Sequence, residues 1–464
     1  MNVGKCLSLF ARVKRWNLFL ILCVGGYSLP SFAQLESQLR MGGSFYSQDK
    51  VNANQTEQSF RIFGQWQKNR KLGEGWELHL GFDWYNELEA NPYPVLKNLN
   101  YQWQSSRWEA SSAWIRMGLQ THEWSLLEND FHLGAWSSYN QHEPLRAELL
   151  GQLGIGAGLS KKNFWIKLFV SPVSIPNIGP QFVEREGQLL SSNRWFQTPL
   201  ERVEIFGDEK QVLYDTSDLN LESVALQPSF FFHTKYRSAG WFAQWSSAYK
   251  PSNELLIMVD TPEIVSSESA DTVHISTKPT VVREFINTME LGYQGKGLLS
   301  YVSATHLQAT EIDAGDPDLL NPQVNDHTLI GMGVKHRFPF LFGTRGRMHW
   351  GAFHRAESKS FDARSTDIEV EYNYERFRWS DGLLWKSHLP FYIKSTPTEL
   401  STTLLHSPSE RGTSLLLDWR AKLDDQFQFE VSFEVIGSEE AGSDSFFEKF
   451  KNNDRVYTGV RYAF

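Results

Sequence analysis

Hydrophobic and polar residues alternate with a period of two along much of the chain, a pattern that indicates β-strands. Residues 76–84 place Trp, Leu, Leu, Phe and Trp on one face and Glu, His, Gly and Asp on the other. Residues 427–435 set Phe and Val against Gln, Glu and Ser, and residues 367–374 set Ile, Val and Tyr against Glu and Asn. Successive side chains of a strand point to opposite faces, so each strand would have one apolar and one polar face. The pattern predicts an all-β fold.

The connections between the predicted strands alternate in length. Short polar or glycine-bearing turns are predicted near 69–75, 105–106, 160–163, 237–240, 294–297, 338–343, 378–382 and 422–426. Longer loops are predicted near 47–57, 87–97, 120–149, 172–225, 251–282, 309–325, 357–365, 391–410 and 437–454, and the weak strand pattern at 254–259 is assigned to one of them. Bacterial transmembrane barrels have an even number of antiparallel strands, short periplasmic turns and longer external loops. We therefore predict an antiparallel up-and-down transmembrane β-barrel of about 18 strands, with 16–20 also compatible, and with both termini in the periplasm.

The last ten residues, 455–464, show a clear alternation. One face would carry Val456, Thr458, Val460, Tyr462 and Phe464, and the other face is small or charged. This end resembles the C-terminal signature of Gram-negative outer-membrane β-barrels, whose last strand typically ends in Phe with an aromatic residue two positions earlier. The resemblance implies an outer-membrane location. It also implies that Val460, Tyr462 and Phe464 are read by the barrel-assembly machinery. With nine long loops and eight short turns this strand is the eighteenth, and we predict that it pairs with a first strand around 35–46.

The beginning of the chain has the layout of a cleavable secretory signal peptide. Residues 1–16 contain four basic and no acidic residues, residues 18–24 form a short apolar core, and Ser31-Phe32-Ala33 is a small-x-small cleavage site. We predict a signal peptide over 1–33 and a single barrel domain over 34–464. Both cysteines lie in the leader, so the mature protein would have neither disulfides nor thiolate metal ligands.

Composition agrees with a barrel. Aromatic residues make up 14% of the chain, and no stretch after residue 33 approaches the roughly 18 apolar residues of a membrane helix. The net charge of −9 would become −13 once the four basic residues of the leader are removed, which gives no basis for nucleic-acid binding. The expected surroundings are outer-membrane lipid and lipopolysaccharide, with small hydrophilic solutes as ligands. The oligomeric state is left open.

An eighteen-strand barrel is wide enough to contain an aqueous lumen. If the apolar faces meet lipid, the charged faces line this lumen. A basic wall would then lie beside an acidic one. The basic wall would consist of Lys335, Arg337, Arg345, Arg347, His349 and Arg355. The acidic wall would consist of Glu369, Glu371 and Glu375, on the next strand at 366–377. Such a transverse field orients polar solutes in a pore. Alternatively, the charges pair across strands and only solvate the lumen.

The segment 172–225 is too long for an idle connection. In general porins one long loop folds into the barrel and narrows it. By that resemblance we predict that this segment forms the constriction, with Arg185, Arg194, Arg202 and Glu204 as lining residues. The alternative is an extracellular flap packed over the mouth.

A second resemblance lies between residues 114 and 182. The run Trp114-Ile115-Arg116-Met117-Gly118-Leu119-Gln120, followed by Trp124 and then by a strand at 164–170 that leads into two prolines, is similar to Trp-rich outer-membrane families related to alginate-export channels. In those families a Gly follows the Trp, whereas Ser125 stands here. The resemblance implies a channel and names no substrate.

The sequence offers no convincing set of catalytic or metal-binding residues. His122, His132 and His142 are spaced by ten residues, which matches no common ligand pattern, and the aspartates at 313–318 lack the full spacing of a calcium loop. No Gly-x-Ser-x-Gly motif is present, and Ser303 and His306 would lie on opposite strand faces. We predict no metal, no cofactor and no enzymatic activity.

The leading functional prediction is a porin-like channel that passes small hydrophilic solutes through a charged lumen. The alternative is a structural or adhesive outer-membrane barrel with a plugged lumen. A lipid-facing enzyme is the least favoured class.

Overall fold

The computed structural model describes residues 36–48, 54–68, 75–86, 93–105, 111–199, 201–205, 207–215, 225–254, 256–260, 263–266, 271–280, 282–309, 319–320, 326–358, 378–443 and 445–463. The predicted signal peptide, the aspartates at 313–318, the predicted strand at 366–377 and Phe464 lie outside these residues.

Eighteen antiparallel strands form one closed sheet, in which each strand pairs with the next and the last pairs with the first. The prediction of an eighteen-strand up-and-down barrel is therefore confirmed. The strands are β1 (Glu36–Tyr46), β2 (Gln58–Lys68), β3 (Gly75–Tyr85), β4 (Tyr93–Gln104), β5 (Ser111–Gln120), β6 (Gln152–Lys161), β7 (Phe164–Ser171), β8 (Ser229–Ser238), β9 (Trp241–Pro251), β10 (Arg283–Gln294), β11 (Leu298–Ala309), β12 (Asp326–Pro339), β13 (Arg345–Ser358), β14 (Asp381–Ile393), β15 (Thr396–Ser407), β16 (Gly412–Lys422), β17 (Phe427–Ser438) and β18 (Arg455–Ala463).

The two ends of the barrel differ. We call the end with the β2–β3, β4–β5 and equivalent connections the short-turn end, and the opposite end the long-loop end. One predicted turn and one predicted loop in this pattern are wrong. Residues 378–382 are not a turn between barrel strands, because β14 begins at Asp381 and pairs directly with β13. Residues 391–410 are not a loop, because they end β14 and form β15.

The outer face of the barrel is apolar. On β12, Ile330 and Met332 are more than half exposed, whereas the alternate residue Leu329 is buried. Exposed aromatic side chains also ring the short-turn end, each within three residues of a turn: Trp76, Trp103, Phe164, Tyr236, Trp241 and Phe427. An apolar band with an aromatic girdle is the surface of an outer-membrane barrel. Within the residues described, no helix is long and apolar enough to cross a membrane.

The long connections form structure of their own. Segments after β7, β9 and β11 build a six-stranded sheet separate from the barrel, which we call the loop sheet: Arg202–Ile205, Asp208–Asp215, Leu256–Asp260, Glu263–Ser266, Asp271–Thr280 and Leu319–Leu320. Residues 256–259 of the pattern at 254–259, which is predicted as part of a loop, belong to the strand Leu256–Asp260 of this sheet. Smaller elements are the ribbons Val183–Arg185 with Gln188–Leu190 and Tyr139–Asn140 with Glu148–Leu149, the 3₁₀ turns Pro144–Arg146 and Leu341–Gly343, and two helices, α1 (Leu126–Phe131) and α2 (Phe446–Phe450).

The connection between β5 and β6, residues 121–151, packs against the inner face of the barrel, and we call it the plug segment. Four of its large side chains belong to one core with inward-facing barrel residues: Trp124, Leu127, Phe131 and Trp136. The Trp124 ring stacks on Phe231 at 5.0 Å between centroids, and the Phe131 ring meets Phe353 at 4.7 Å. At this level the barrel interior is therefore a packed hydrophobic core.

Candidate functional site in the barrel lumen

The N-terminus of α1 is held by Glu290, a buried inward-facing carboxylate of β10. The Glu290 carboxylate accepts hydrogen bonds from the hydroxyl of Ser125 at 2.7 Å and from the backbone N–H groups of Leu126 at 2.8 Å and Leu127 at 3.3 Å. The Ser303 hydroxyl donates to the same oxygen at 3.0 Å. The first N–H groups of a helix lack partners within the helix and carry partial positive charge, so an anion there is stabilising.

The other end of α1 is held by Asp130. Its carboxylate lies 2.5 Å from the ammonium group of Lys335 and 3.0 Å from Nε2 of His349, and it accepts a hydrogen bond from the hydroxyl of Tyr301. Lys386 donates to the Asp130 backbone carbonyl at 2.8 Å. Burial by itself would raise the pKa of Asp130, but the neighbouring His349 and Lys335 hold that pKa below its ordinary value. Two residues of the predicted basic wall thus contact the plug segment.

The other residues of the predicted basic wall lie elsewhere on the same strands. Arg337 is directly opposite Arg347, and Arg345 begins β13, so all three are near the short-turn end, where their side chains are exposed. Arg355 is partly buried towards the long-loop end. Glu369, Glu371 and Glu375 lie outside the described residues, and the strand beside β13 is β14. The acidic wall stays a prediction.

The far end of the plug segment is fixed to another part of the barrel wall. Glu143 lies 2.6 Å from Arg455 on β18, and Arg455 also lies 2.7 Å from Glu434 on β17. Arg146 lies 2.7 Å from Asp418 on β16. Burial would raise the pKa of Glu143, but Arg455 and Arg61 hold it well below its ordinary value. The plug segment is therefore attached to the inner wall at two places, on β10–β14 and on β16–β18.

The four residues predicted to line a constriction in segment 172–225 lie in separate places. Arg202 and Glu204 belong to the loop sheet and are exposed, and Arg185 is exposed in a separate ribbon. Arg194 is buried, but it donates to the backbone carbonyls of Gln48 and Asn452, at the long-loop end. The inward connection is the plug segment instead. Its closely spaced Trp, Leu and Phe residues can bury a large apolar area. This apolar content, rather than the length of a connection, is the sequence feature that indicates which connection packs inside the barrel.

Two cavities border the plug segment. One, of about 380 Å³, lies on its short-turn side and is lined by barrel residues that include Arg116, Lys167 and Lys235. The other, of about 280 Å³, lies on its long-loop side, between plug residues, Trp195 and Arg378. Sequence reasoning did not identify either set, because the residues come from strands far apart in the chain.

The three histidines of the plug segment have separate surroundings. His122 lies against Lys167, His132 stacks on Tyr139, and the His142 ring lies tilted against Tyr85 with 3.8 Å between centroids. Within the described ranges, no group of three or more His, Cys, Asp or Glu side chains could hold a metal ion.

The last strand has the alternation that the sequence predicts. Val460 is exposed on the outer face, and the Tyr462 ring lies 4.8 Å from that of Phe427. Recognition of this end by the barrel-assembly machinery stays a prediction.

No protein-family model matches the chain, and no curated protein matches it. Among solved structures, the chain is similar to a mutant porin of Rh. blastica, with 10% identity over 93% of this chain and 99% of that one and a TM-score of 0.34. It is also similar to Wzi of Escherichia coli, described as a carbohydrate-binding β-barrel involved in group 1 capsule assembly, with 9% identity over 92% and 84% of the chains and a TM-score of 0.40. A third similar structure is the outer-membrane expressed OmpT of Vibrio cholerae, with 9% identity over 93% of this chain and 97% of that one and a TM-score of 0.35. At such similarity no ligand or activity is transferred. The closed strand pairing and the apolar outer face establish a porin-like outer-membrane barrel by themselves.

Proposed function

We propose that this protein is a plugged outer-membrane barrel that acts by binding at its ends rather than as a constantly open porin. The observation that carries the proposal is the attachment of the plug segment to the inner barrel wall at two separate places, through Glu290 and Asp130 at one and through Glu143 and Arg146 at the other. The structural or adhesive alternative raised by the sequence is thereby favoured over free passage of solutes.

Packing of the plug segment supports a lumen that stays closed. Trp124 and Trp136 are each about 1% exposed, and Phe131 is 4% exposed. Removing a buried Phe or Trp side chain costs about 3–5 kcal/mol, and breaking a buried ion pair by removing one partner costs about as much. Undocking of the whole segment exposes several such side chains together, so the undocked state would be rarely populated.

The long-loop end is the place where this proposal puts the binding function. The cavity there combines the aromatic faces of Trp195, Phe446 and Phe450 with the charged groups of Arg378 and Glu254. Apolar surface with a few polar groups is typical of small-molecule sites. If the long loops face outward, as their length suggests, this cavity would open towards the cell exterior, above the lipopolysaccharide.

A gated channel is the second candidate. The contact of Asp130 with Lys335 and His349 favours it, because one acidic residue at the end of α1 is held by two basic residues of the wall. A change that removes this contact would loosen α1, and small hydrophilic solutes could then pass the basic strip formed by Arg337 and Arg347.

Planar-bilayer conductance tests the proposal. Gln120 lies directly opposite Gln152 in the barrel sheet, so a short Gly/Ser turn can replace residues 122–150 without moving β5 or β6. The native barrel is expected to give no large steady current, and the shortened barrel is expected to give one. A matched control replaces the loop-sheet strand Asp208–Asp215 with a Gly/Ser segment and should stay closed. A native barrel that conducts as steadily as the shortened one would overturn the proposal.

A further inference from the structure

The cavity on the short-turn side of the plug segment has a definite construction. Its walls are inward-facing residues of β5, β7, β8 and β9, and its roof is formed by plug residues, among them His122 and Glu123. Its volume of about 380 Å³ lies within the range of roughly 300–1,000 Å³ found for small-molecule sites. The wall residues lie in the strand halves next to the short turns, so a ligand would enter from the short-turn end.

Glycines on β6 make room for the Trp114 ring, which lines this cavity. A Cβ atom on Gly158 would come within 2.4 Å of the Trp114 indole, and one on Gly156 within 3.4 Å of it. The Trp114 ring therefore lies across a strand that projects no side chain of its own at these positions. Together with Trp165, which also lines the cavity, it offers aromatic surface to a bound ring.

Three basic side chains line the cavity, Arg116, Lys167 and Lys235, against one carboxylate, Glu123. Lys167 is 6% exposed; its ammonium lies 2.5 Å from Nδ1 of His122 and 3.8 Å from the centre of the Trp124 ring. Among the described residues, no carboxylate oxygen lies within 4 Å of the ammonium of Lys167 or Lys235. A buried ammonium without a counter-charge is costly, so a bound anion would be stabilising.

Strand register brings these charges together. Lys167 on β7 is directly opposite His233 on β8, which makes Lys235 its diagonal neighbour, at about 7–8 Å between backbones. Arg116 is opposite Gly156 on β6, and Gly158 on the same strand is opposite Lys167. The guanidinium group of Arg116 and the ammonium groups of the two lysines line the same cavity.

We propose that this cavity binds a soluble phosphate monoester of the size of a sugar phosphate. The lining carries an excess of two positive charges when both lysines are protonated, and a phosphate monoester carries about −1.5 to −2 with three acceptor oxygens. A carboxylate supplies only one charge. The ligand is a soluble one, because Arg116, Lys167 and Lys235 project inward, on the faces opposite to the exposed Leu168 and Phe230. The site does not depend on whether the barrel conducts.

Calorimetric titration of the folded, leader-free barrel in detergent tests the site, with glucose 6-phosphate, inorganic phosphate, glucuronate and glucose as probes. Glucose 6-phosphate is expected to bind, glucose not, and glucuronate at least tenfold more weakly than glucose 6-phosphate. Lys235→Gln removes a charge-assisted contact and should weaken binding of glucose 6-phosphate by roughly tenfold or more. Lys235→Arg should stay within about threefold of the native affinity. Lys161→Gln, the same change at an exposed residue of β6, should have almost no effect.

Failure of glucose 6-phosphate to bind would overturn the proposal, as would equal binding of glucose or unchanged affinity in a folded Lys235→Gln variant. Glucuronate binding as tightly as glucose 6-phosphate would overturn the phosphate assignment, and equally tight inorganic phosphate would overturn the role of the Trp114 and Trp165 rings. Heat-modifiable gel mobility reports whether each variant is folded. If Lys235→Gln does not fold, Lys167→Met removes the neighbouring ammonium with a side chain of similar length, and the same loss of affinity is expected.

Discussion

Asp130 at the end of α1 lies 2.5 Å from the ammonium group of Lys335 on β12, and this contact joins the plug segment to the barrel wall. The Asp130→Asn variant removes the negative charge between Lys335 and His349 but keeps the shape of the side chain. Because Lys335 is about one-third exposed, we expect a loss of docking free energy of about 1–3 kcal/mol, below the value for a fully buried pair. Brief channel openings in planar bilayers should become roughly tenfold more frequent.

The control for this prediction is Asp425→Asn, which makes the same change in a fully exposed turn at the short-turn end. It should leave the opening frequency unchanged. Equal opening frequencies in Asp130→Asn and the native barrel would show that this contact does not hold the plug segment.

Loss of the Glu290 carboxylate is expected to destabilise the docked helix α1 more than loss of any one of its hydrogen-bond donors. In the Glu290→Gln variant an amide NH₂ replaces one acceptor oxygen, so some of the N–H and O–H groups around it lose their partner, at about 1–3 kcal/mol each. Hydrogen exchange of the amides of residues 125–131 should accelerate by tenfold or more. Ser303→Ala removes one donor only and should accelerate exchange by less than Glu290→Gln does. The reverse order of the two variants would contradict the role of Glu290 as the anchor of α1.

Trp124 is the side chain whose removal should loosen the plug segment most. It stacks on Phe231 and also contacts Phe169, and Trp124→Ala should cost about 3–5 kcal/mol of docking free energy. Limited proteolysis should then cut within residues 121–151 under conditions in which the native protein resists. Trp241→Ala removes a lipid-facing Trp that is 66% exposed and should leave the plug segment resistant. Cleavage at the same rate in both variants would contradict the assignment.

Acid is expected to weaken plug docking through His132. Burial, assisted by Lys386 and Arg378, lowers the pKa of His132 from 6.5 to about 3. The docked state therefore binds fewer protons than the undocked state below pH 6.5, so the contribution of this group is fully present above pH 6.5 and is lost as pH falls towards 3. At pH 5 the loss is at most about 2 kcal/mol, since the cavity beside the ring admits some solvent.

His132→Asn isolates this effect, because Asn tolerates the left-handed backbone of residue 132, where φ is 52°. Glu128 has the opposite effect on plug docking, and it does so equally in the native and His132→Asn proteins. Burial raises the pKa of Glu128 to about 7, so the stability that it contributes to docking is lost as pH rises from 4.5 through 7. The difference between the native and His132→Asn proteins in opening frequency should therefore grow as pH falls below 6.5. A difference that does not change between pH 7 and pH 5 would rule out His132 as the titrating group.

Sequence alone predicts the barrel well, because strand alternation and turn spacing are local properties. Seven of the eight predicted turns lie between barrel strands. The exception, near 378–382, shows that a local pattern does not determine which strands pair. Residues 396–407 contain many hydroxyl side chains and read as part of a loop, yet they form β15. Pairing of β14 with both β13 and β15 decides the matter, and pairing is not encoded in any one segment.

The contacts inside the lumen are less predictable from the sequence, because they also join residues that are far apart in the chain. Lys335 and His349 could be placed on an inward face by parity, but their partner Asp130 lies about 200 residues earlier in the chain. Length suggested 172–225 as the inward connection, whereas the apolar residues of 121–151 decide it. The charges of Lys167 and Lys235 become neighbours only through the register of β7 and β8.

Accessibility of residue 127 tests the central claim most directly, namely that residues 121–151 occupy the lumen. Leu127 is 1% exposed, whereas Leu226 at the long-loop end is 66% exposed. In leader-free, otherwise cysteine-free protein, Leu127→Cys should react with a polar maleimide at least about a hundredfold more slowly than Leu226→Cys, which corresponds to about 2.7 kcal/mol. The two variants should react equally after denaturation. Equal rates in the folded barrel would contradict a plugged lumen.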